Sequence, residues 1–261
     1  MISTNRIDGV FRDKKKNILS VYFTAGFPSL NDTADILLYL QDAGADMIEI
    51  GIPFSDPMAD GPTIQESNHT ALQNGMSLKI LFQQLEEVRE KINIPLILMG
   101  YLNPAMQYGI EAFCESCART GIDGLIIPDL PMQEYLDYYR QLFDRFGIYN
   151  IFLISPQTSE SRVRQIDENS KGFIYMVSSA SVTGAREGIS PEQIDYFNRI
   201  KNMNLKNPLM IGFGISNNQT FKTACAYASG AIIGSAFIRA LKESGDLKTG
   251  IFNFIQSVKG L

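Results

Sequence analysis

The chain has no tryptophan, one histidine (His69) and three cysteines among 261 residues. A single histidine excludes mechanisms that need two. Three cysteines, Cys114, Cys117 and Cys225, are an odd count in a long chain, which fits reduced thiols better than a disulfide framework. Cys114 and Cys117 form a CxxC, but the surrounding GIEAFCESCARTG reads as an amphipathic helix. Structural zinc usually takes four Cys or His ligands, and no second cysteine pair exists, so no metal site is expected. No apolar run approaches the roughly 18 residues that a membrane helix needs. The first residues, MISTNRIDGV, contain no apolar stretch of a secretory signal. Basic residues cluster nowhere beyond Lys14-Lys15-Lys16, and the net charge is −5. Nucleic acid and membrane surfaces are therefore not expected partners, and a soluble, cytoplasmic protein is expected. No Walker-type Gly-Lys-Thr and no GxGxxG follows a strand, so ATP and NAD are not supported.

What is present is a regular alternation. Hydrophobic residues make up 45% of the chain, enough for a sizeable core. A leading helix is expected over residues 5–15. Short apolar runs at 17–24, 47–50, 95–99, 124–127, 150–154, 173–177, 208–211 and 231–233 read as eight strands. Helices are expected between them at 31–43, 63–73, 78–91, 110–120, 133–146, 159–168, 191–201 and 218–227, with further helices after the last strand. The strands are continuous rather than alternating, as when both faces are buried. Three helix-to-strand turns look alike, at 43–46, 120–123 and 228–231, which suits a repeated unit. The reading is an α/β chain forming a single (β/α)8 barrel over residues 1–261, with an extra N-terminal helix. An open doubly wound sheet is the alternative.

One stretch organises the candidate chemistry: MIEIGIPFSDPMADGPTIQ, residues 47–65. Glu49 sits inside a strand run, where a carboxylate is costly to bury unless protonated or paired. Asp60 lies eleven residues on, in a loop with two prolines. Carboxylates in such different surroundings are expected to differ in pKa, which supplies an acid and a base in one site. The alternative is that Glu49 pairs with a buried Lys or Arg and that Asp60 only caps the next helix. Tyr175 puts a polar tip on the sixth strand, although a core tyrosine fits too. The residues after that strand, 178–189, form a connection long enough to be a lid. Glycines then converge after strands six, seven and eight: Thr183-Gly184, Gly212-Phe213-Gly214 and Gly234-Ser235. Loops there recurrently bind phosphate in this fold, and simple tight turns are the other reading.

These motifs resemble those of the tryptophan synthase α subunit family. IEIGIPFSDPMADGPTIQ is close to its signature. The likeness continues through Phe23-Thr24-Ala25-Gly26-Phe27-Pro28, Tyr101-Leu102-Asn103-Pro104, Pro128-Asp129-Leu130-Pro131, Tyr175, Val182-Thr183-Gly184-Ala185-Arg186, Gly212-Phe213-Gly214-Ile215-Ser216 and Gly234-Ser235-Ala236. The resemblance implies cleavage of indole-3-glycerol phosphate to indole and glyceraldehyde 3-phosphate, a carbon–carbon lyase reaction. It implies Glu49 as general acid and base, and Asp60 as acceptor for the indole N–H. It places Tyr175, Phe23, Leu102 and Ile127 around the ring, and has Thr183 bond to Asp60 when the lid closes. Gly184, Gly214, Gly234 and Ser235 match the family's phosphate-binding positions, and Phe213 counts among the substrate-binding residues. The family works as an α2β2 complex with a β subunit that holds pyridoxal phosphate, so no cofactor is expected on this chain. The partner surface would include the 53–60 loop, residues 101–107, Pro131 and the lid. A free-standing lyase, or a silent subunit that only activates β, are the other functional readings. The run Met99-Gly100-Tyr101-Leu102, the run Ser155-Pro156-Gln157 and Ser229 depart from the usual family pattern.

Overall fold

The computed structural model describes residues 5–58, 60–177, 190–212 and 214–261. In chain order they form α1 Arg6–Lys14, β1 Ile18–Thr24, α2 Asp32–Ala43, β2 Met47–Gly51, α3 Pro62–Gln73, α4 Leu78–Val88, β3 Leu96–Met99, α5 Leu102–Tyr108, α6 Ile110–Arg119 and β4 Gly124–Ile126. A helical stretch follows as α7 Met132–Glu134, a π segment Tyr135–Tyr139 and α8 Arg140–Arg145. The chain continues with β5 Tyr149–Asn150, β6 Leu153–Ile154, α9 Glu160–Asn169, β7 Ile174–Val177, α10 Pro191–Asn202, β8 Leu209–Gly212, α11 Asn218–Tyr227, β9 Gly230–Ile233, α12 Ser235–Glu243 and α13 Leu247–Lys259.

The strand order is β5-β4-β3-β2-β1-β9-β8-β7-β6, and every pairing is parallel. β5 and β6 are two pieces of one stave, the run expected at 150–154. On one side Ile151 N–H donates to Leu125 O at 2.9 Å, and on the other Tyr175 N–H donates to Phe152 O at 2.9 Å. Those two bonds bring the ends of the sheet together, so nine short strands make an eight-stave (β/α)8 barrel. The expected fold class stands.

Side chains alternate along each strand. Ile18, Met47, Ile97, Ile126, Ile151, Phe173, Met210 and Ile232 turn inward and form one cluster. Their neighbours Leu19, Val21, Ile48, Ile50, Leu96, Leu98 and Leu125 turn outward into the larger core under the helices. Ile7 of α1 is fully buried and joins the inner cluster, so the leading helix closes the N-terminal end of the barrel. Cys114 and Cys117 are buried in α6, and Cys225 is buried in α11. Two of the three similar turns use one device. Gly44 (φ 94°) and Gly121 (φ 67°) end their helices in a left-handed conformation. The aspartate two residues on then accepts a strand N–H: Asp46 from Leu19 at 2.8 Å, Asp123 from Leu96 at 3.0 Å. The third turn, at Ser229, has no such carboxylate.

Capping follows the sequence. Ser190 and Gln193 make a capping box at α10 with Pro191 at its first turn, and Asn217 with Thr220 makes another at α11. Two elements depart from expectation. The expected helix at 78–91 ends as α-helix at Val88 and finishes in a 3-10 turn, Arg89–Lys91. No helix is expected between 99 and 110, yet α5 forms there. Pro104 sits in the first turn of α5, where its missing N–H costs nothing.

Candidate active site

Glu49 is the central residue of β2 and points into the barrel. Its side chain is fully buried. Among the described residues it receives a side-chain bond from the Ser20 hydroxyl to Oε1 at 2.8 Å, and no Lys or Arg pairs with it. Burial raises its pKa from 4.5 to about 8, against which the Ser20 bond pulls down. At neutral pH it holds its proton.

Asp60 is 8% exposed and sits on the loop between β2 and α3. α3 holds that loop in place. Asn68 Oδ1 accepts from Phe54 N–H at 2.9 Å, and Gln65 Nε2 donates to Asp60 O at 2.9 Å. The N-cap of α3 is Gly61, without a side-chain cap, so Asp60 is not spent on capping. Tyr101 donates from its hydroxyl to Asp60 Oδ2 at 3.3 Å, and its ring stacks on Phe54 at 5.0 Å. Burial raises Asp60 to about 6 and the Tyr101 bond opposes the rise, so at neutral pH Asp60 is mostly charged.

Two buried tyrosines complete the mouth. The Tyr22 hydroxyl occupies the space a Cβ would need at Gly51, and the Tyr175 hydroxyl does the same at Gly212. Glycine at these strand ends makes room for the two phenols. Burial is the main cause that raises the pKa of both, followed by the field of Asp60 on Tyr22 and of Glu49 on Tyr175. Glu49, Asp60, Tyr22, Tyr101 and Tyr175 are therefore one electrostatic group.

Three of the expected ring-facing residues fall elsewhere. Phe23 follows inward-facing Tyr22, so alternation turns it into the helix layer, where it is fully buried. Ile127 lies in that outer core too, and borders a cavity of about 290 Å³ with Pro128, Pro131, Phe152 and Ile166. Leu102 opens α5, packs on the outer core and donates its N–H to Asp129 Oδ1 at 2.9 Å. The inward positions at these levels are Tyr22, Met99 and Ile126, with Tyr101 above them. Sequence reasoning missed Tyr22, whose hydroxyl falls with those of Ser20 and Thr24 on alternate positions of the run ILSVYFT. Gly234 and Ser235 form the N-terminus of α12, and Gly214 lies just past β8 with φ 75°. Thr183, Gly184, Phe213 and the expected lid lie outside the described residues.

The family model described as tryptophan synthase alpha chain matches residues 10–258. The chain belongs to that family. The tryptophan synthase alpha chain of Flavobacterium johnsoniae is 60% identical over 94% of this chain and 96% of its own length. That of Phocaeicola vulgatus is 55% identical over 98% and 99%. A crystal structure of the alpha chain from Legionella pneumophila superposes with a TM-score of 0.88 at 33% identity, covering 99% of this chain and 97% of its own. A structure of tryptophan synthase from M. tuberculosis in an aminoacrylate-bound form gives 0.85 at 27% identity, covering 98% of each chain. As a family member the chain is the alpha component of tryptophan synthase, a carbon–carbon lyase that partners the β subunit. No helix among the described residues is long and apolar enough to cross a membrane.

Proposed function

We propose that Glu49 and Asp60 carry the alpha reaction in this chain, Glu49 as acid and base, Asp60 as the counter-charge to the indole ring. The reaction is a retro-aldol: indole-3-glycerol phosphate is cleaved to indole and glyceraldehyde 3-phosphate. Glu49 delivers its proton to C3 of the ring, which becomes a cationic indolenine. Asp60 accepts from the ring N–H and offsets the growing charge. The glycerol hydroxyl beside the ring then loses its proton to Glu49, now a carboxylate. The carbon–carbon bond breaks, its electron pair restores the aromatic ring, and the hydroxyl carbon becomes the aldehyde. The enzyme ends in its starting protonation state.

The observation that carries this reading is the placement of the two carboxyls, Glu49 fully buried in the barrel wall and Asp60 on the loop beside the Tyr101 hydroxyl, where burial raises Glu49 to about 8 and Asp60 to about 6. At pH 7 one is an acid and the other an anion, as the chemistry requires. In this reading Tyr22, Met99, Tyr101, Ile126 and Tyr175 line the ring. The phosphate lies at the N-terminus of α12, against Gly234 and Ser235, with Gly184, Phe213 and Gly214 beside it and Thr183 reaching Asp60. The chain works as one unit over residues 1–261, in the cytoplasm, without a cofactor of its own. Pyridoxal phosphate belongs to the β subunit, to which indole passes within an α2β2 complex. Met58 and Met106, 84% and 57% exposed on the 53–60 loop and α5, fit the docking face.

The test is indole release from indole-3-glycerol phosphate by the purified chain, alone and with a β subunit. Slow release that rises sharply with β is the expected result. Fast release that ignores β indicates a free-standing lyase, and no release in either condition overturns the reading.

A further inference from the structure

We propose that Ser20 is a positioning residue for Glu49, and that its hydroxyl selects Oε2 as the carboxyl oxygen that gives and takes the proton. The inference rests on Glu49 being the acid and base.

Ser20 is fully buried on the inner face of β1, one inward position below Tyr22. Its partners at the same level are Met47 on β2 and Ile232 on β9. The inner cluster around it is otherwise Ile18, Met47, Ile97, Met210 and Ile232. A hydroxyl in such a setting is costly unless it is bonded. Its hydroxyl donates to Glu49 Oε1 at 2.8 Å. Glu49 Oε2 is equally buried and has no hydrogen-bond partner among the described residues. The two oxygens of one carboxyl are thus held in different environments.

The chemistry follows from that asymmetry. Oε1 accepts the Ser20 hydroxyl in both protonation states, so a proton on Oε1 would compete with a donor already there. The proton resides on Oε2. When it leaves, the Ser20 bond stays and supports the carboxylate. Ser20 therefore holds the carboxyl in one rotation and lowers the cost of ionising it. The titratable groups that feel Glu49 are Tyr22 from β1 and Tyr175 from β7, both of which also feel Asp60 from the loop after β2, while β3 presents Ile97 and Met99. None of these groups is a cation, and the Ser20 hydroxyl is the hydrogen-bond donor that reaches Glu49 among the described residues.

The experiment compares Ser20→Ala, Ser20→Val and Ser20→Thr in complex with the β subunit. Alanine and valine are expected to lower kcat for indole release about tenfold, with KM within about twofold of the parent. They are also expected to move the Glu49 limb of the kcat pH profile upward by about one unit, the size of a hydrogen bond to a charged group. Threonine keeps both near the parent values. Valine and threonine are nearly equal in size, so their difference removes packing from the comparison. A pH limb that does not move in alanine and valine overturns the proposal whatever the rate, and so does a threonine variant that behaves like valine. The same shift can be read without turnover, by titrating the infrared carbonyl band of Glu49, assigned by its loss in Glu49→Gln. Failure of the underlying reading is separate: Glu49→Gln would then turn over normally, and no Ser20 variant would bear on it.

Discussion

At the closed end of the barrel Asp123 is 4% exposed. It receives the Arg6 guanidinium at 3.0 Å, that of Arg89 at 3.4 Å, and the Leu96 N–H at 3.0 Å. At the open end Glu49 is more deeply buried and receives one serine hydroxyl. The sequence spends two arginines on a carboxylate that ties β3 and β4 to the leading helix. Among the described residues none reaches Glu49, the carboxylate proposed to face the substrate. A paired carboxylate is fixed as an anion and is of little use as an acid. An unpaired one in an apolar wall keeps its proton near neutral pH and can give it up. The cost of burying Glu49 is thus the origin of its chemistry.

That contrast can be broken at either end. The largest stability effect is expected from Asp123→Ala, which leaves Arg89, itself only 10% exposed, without its carboxylate. Breaking a buried pair in this way costs about 3–5 kcal/mol. Urea denaturation should show the loss, while indole release per folded molecule stays near normal. Asp60→Asn should do the opposite: a fall of about 10²-fold in indole release, with a melting temperature that does not drop, because it replaces a carboxylate that burial disfavours. A third test uses linkage. Between 4.5 and about 8 the folded chain keeps a proton on Glu49 that the unfolded chain has released. Stability from this group is therefore full below pH 4.5 and is lost as pH rises toward 8, by up to about 1.4 kcal/mol per unit. Asp60, raised to about 6, adds to the slope between 3.8 and 6. Subtracting the denaturation curves of Glu49→Gln from those of the parent isolates the Glu49 part, and a flat difference would sink the assignment. The smallest effect is expected from Tyr101→Phe. It removes the bond to Asp60, raises the pKa of that residue above 6, and lowers the rate at pH 7 by about tenfold or less.

The barrel was legible because its strands are short apolar runs separated by helical spacing. The stave at 150–154 was read as one strand, and it divides its pairing between two neighbours, which no local pattern announces. Glu49 and Asp60 were legible as carboxylates in unlike company. Phe23, Leu102 and Ile127 were misplaced for a physical reason. Leu102 opens a helix where none was expected. GLII is apolar on both faces, so the period of two that separates inside from outside leaves no mark; in VYFT the aromatic rings of Tyr22 and Phe23 are neighbours on opposite faces. Only register settles it: Tyr22 pairs with Glu49, and Ile126 with Met99. Gly100, one of the departures from the family pattern, is explained by packing, since a Cβ there would lie 2.9 Å from that of Ile52. Nothing in the structure explains the departure at Ser229. Ser20 is a small hydroxyl in the strand run ILSVYF, but its partner lies 29 residues away on the next strand.

The most direct measurement is indole release by Glu49→Gln in complex with the β subunit, beside the melting temperature of the same preparation. The account predicts a loss of about 10²–10⁴-fold with the fold intact. Near-normal turnover in a folded variant would contradict it, because the unpaired carboxyl at the barrel mouth would then have no part in moving the proton.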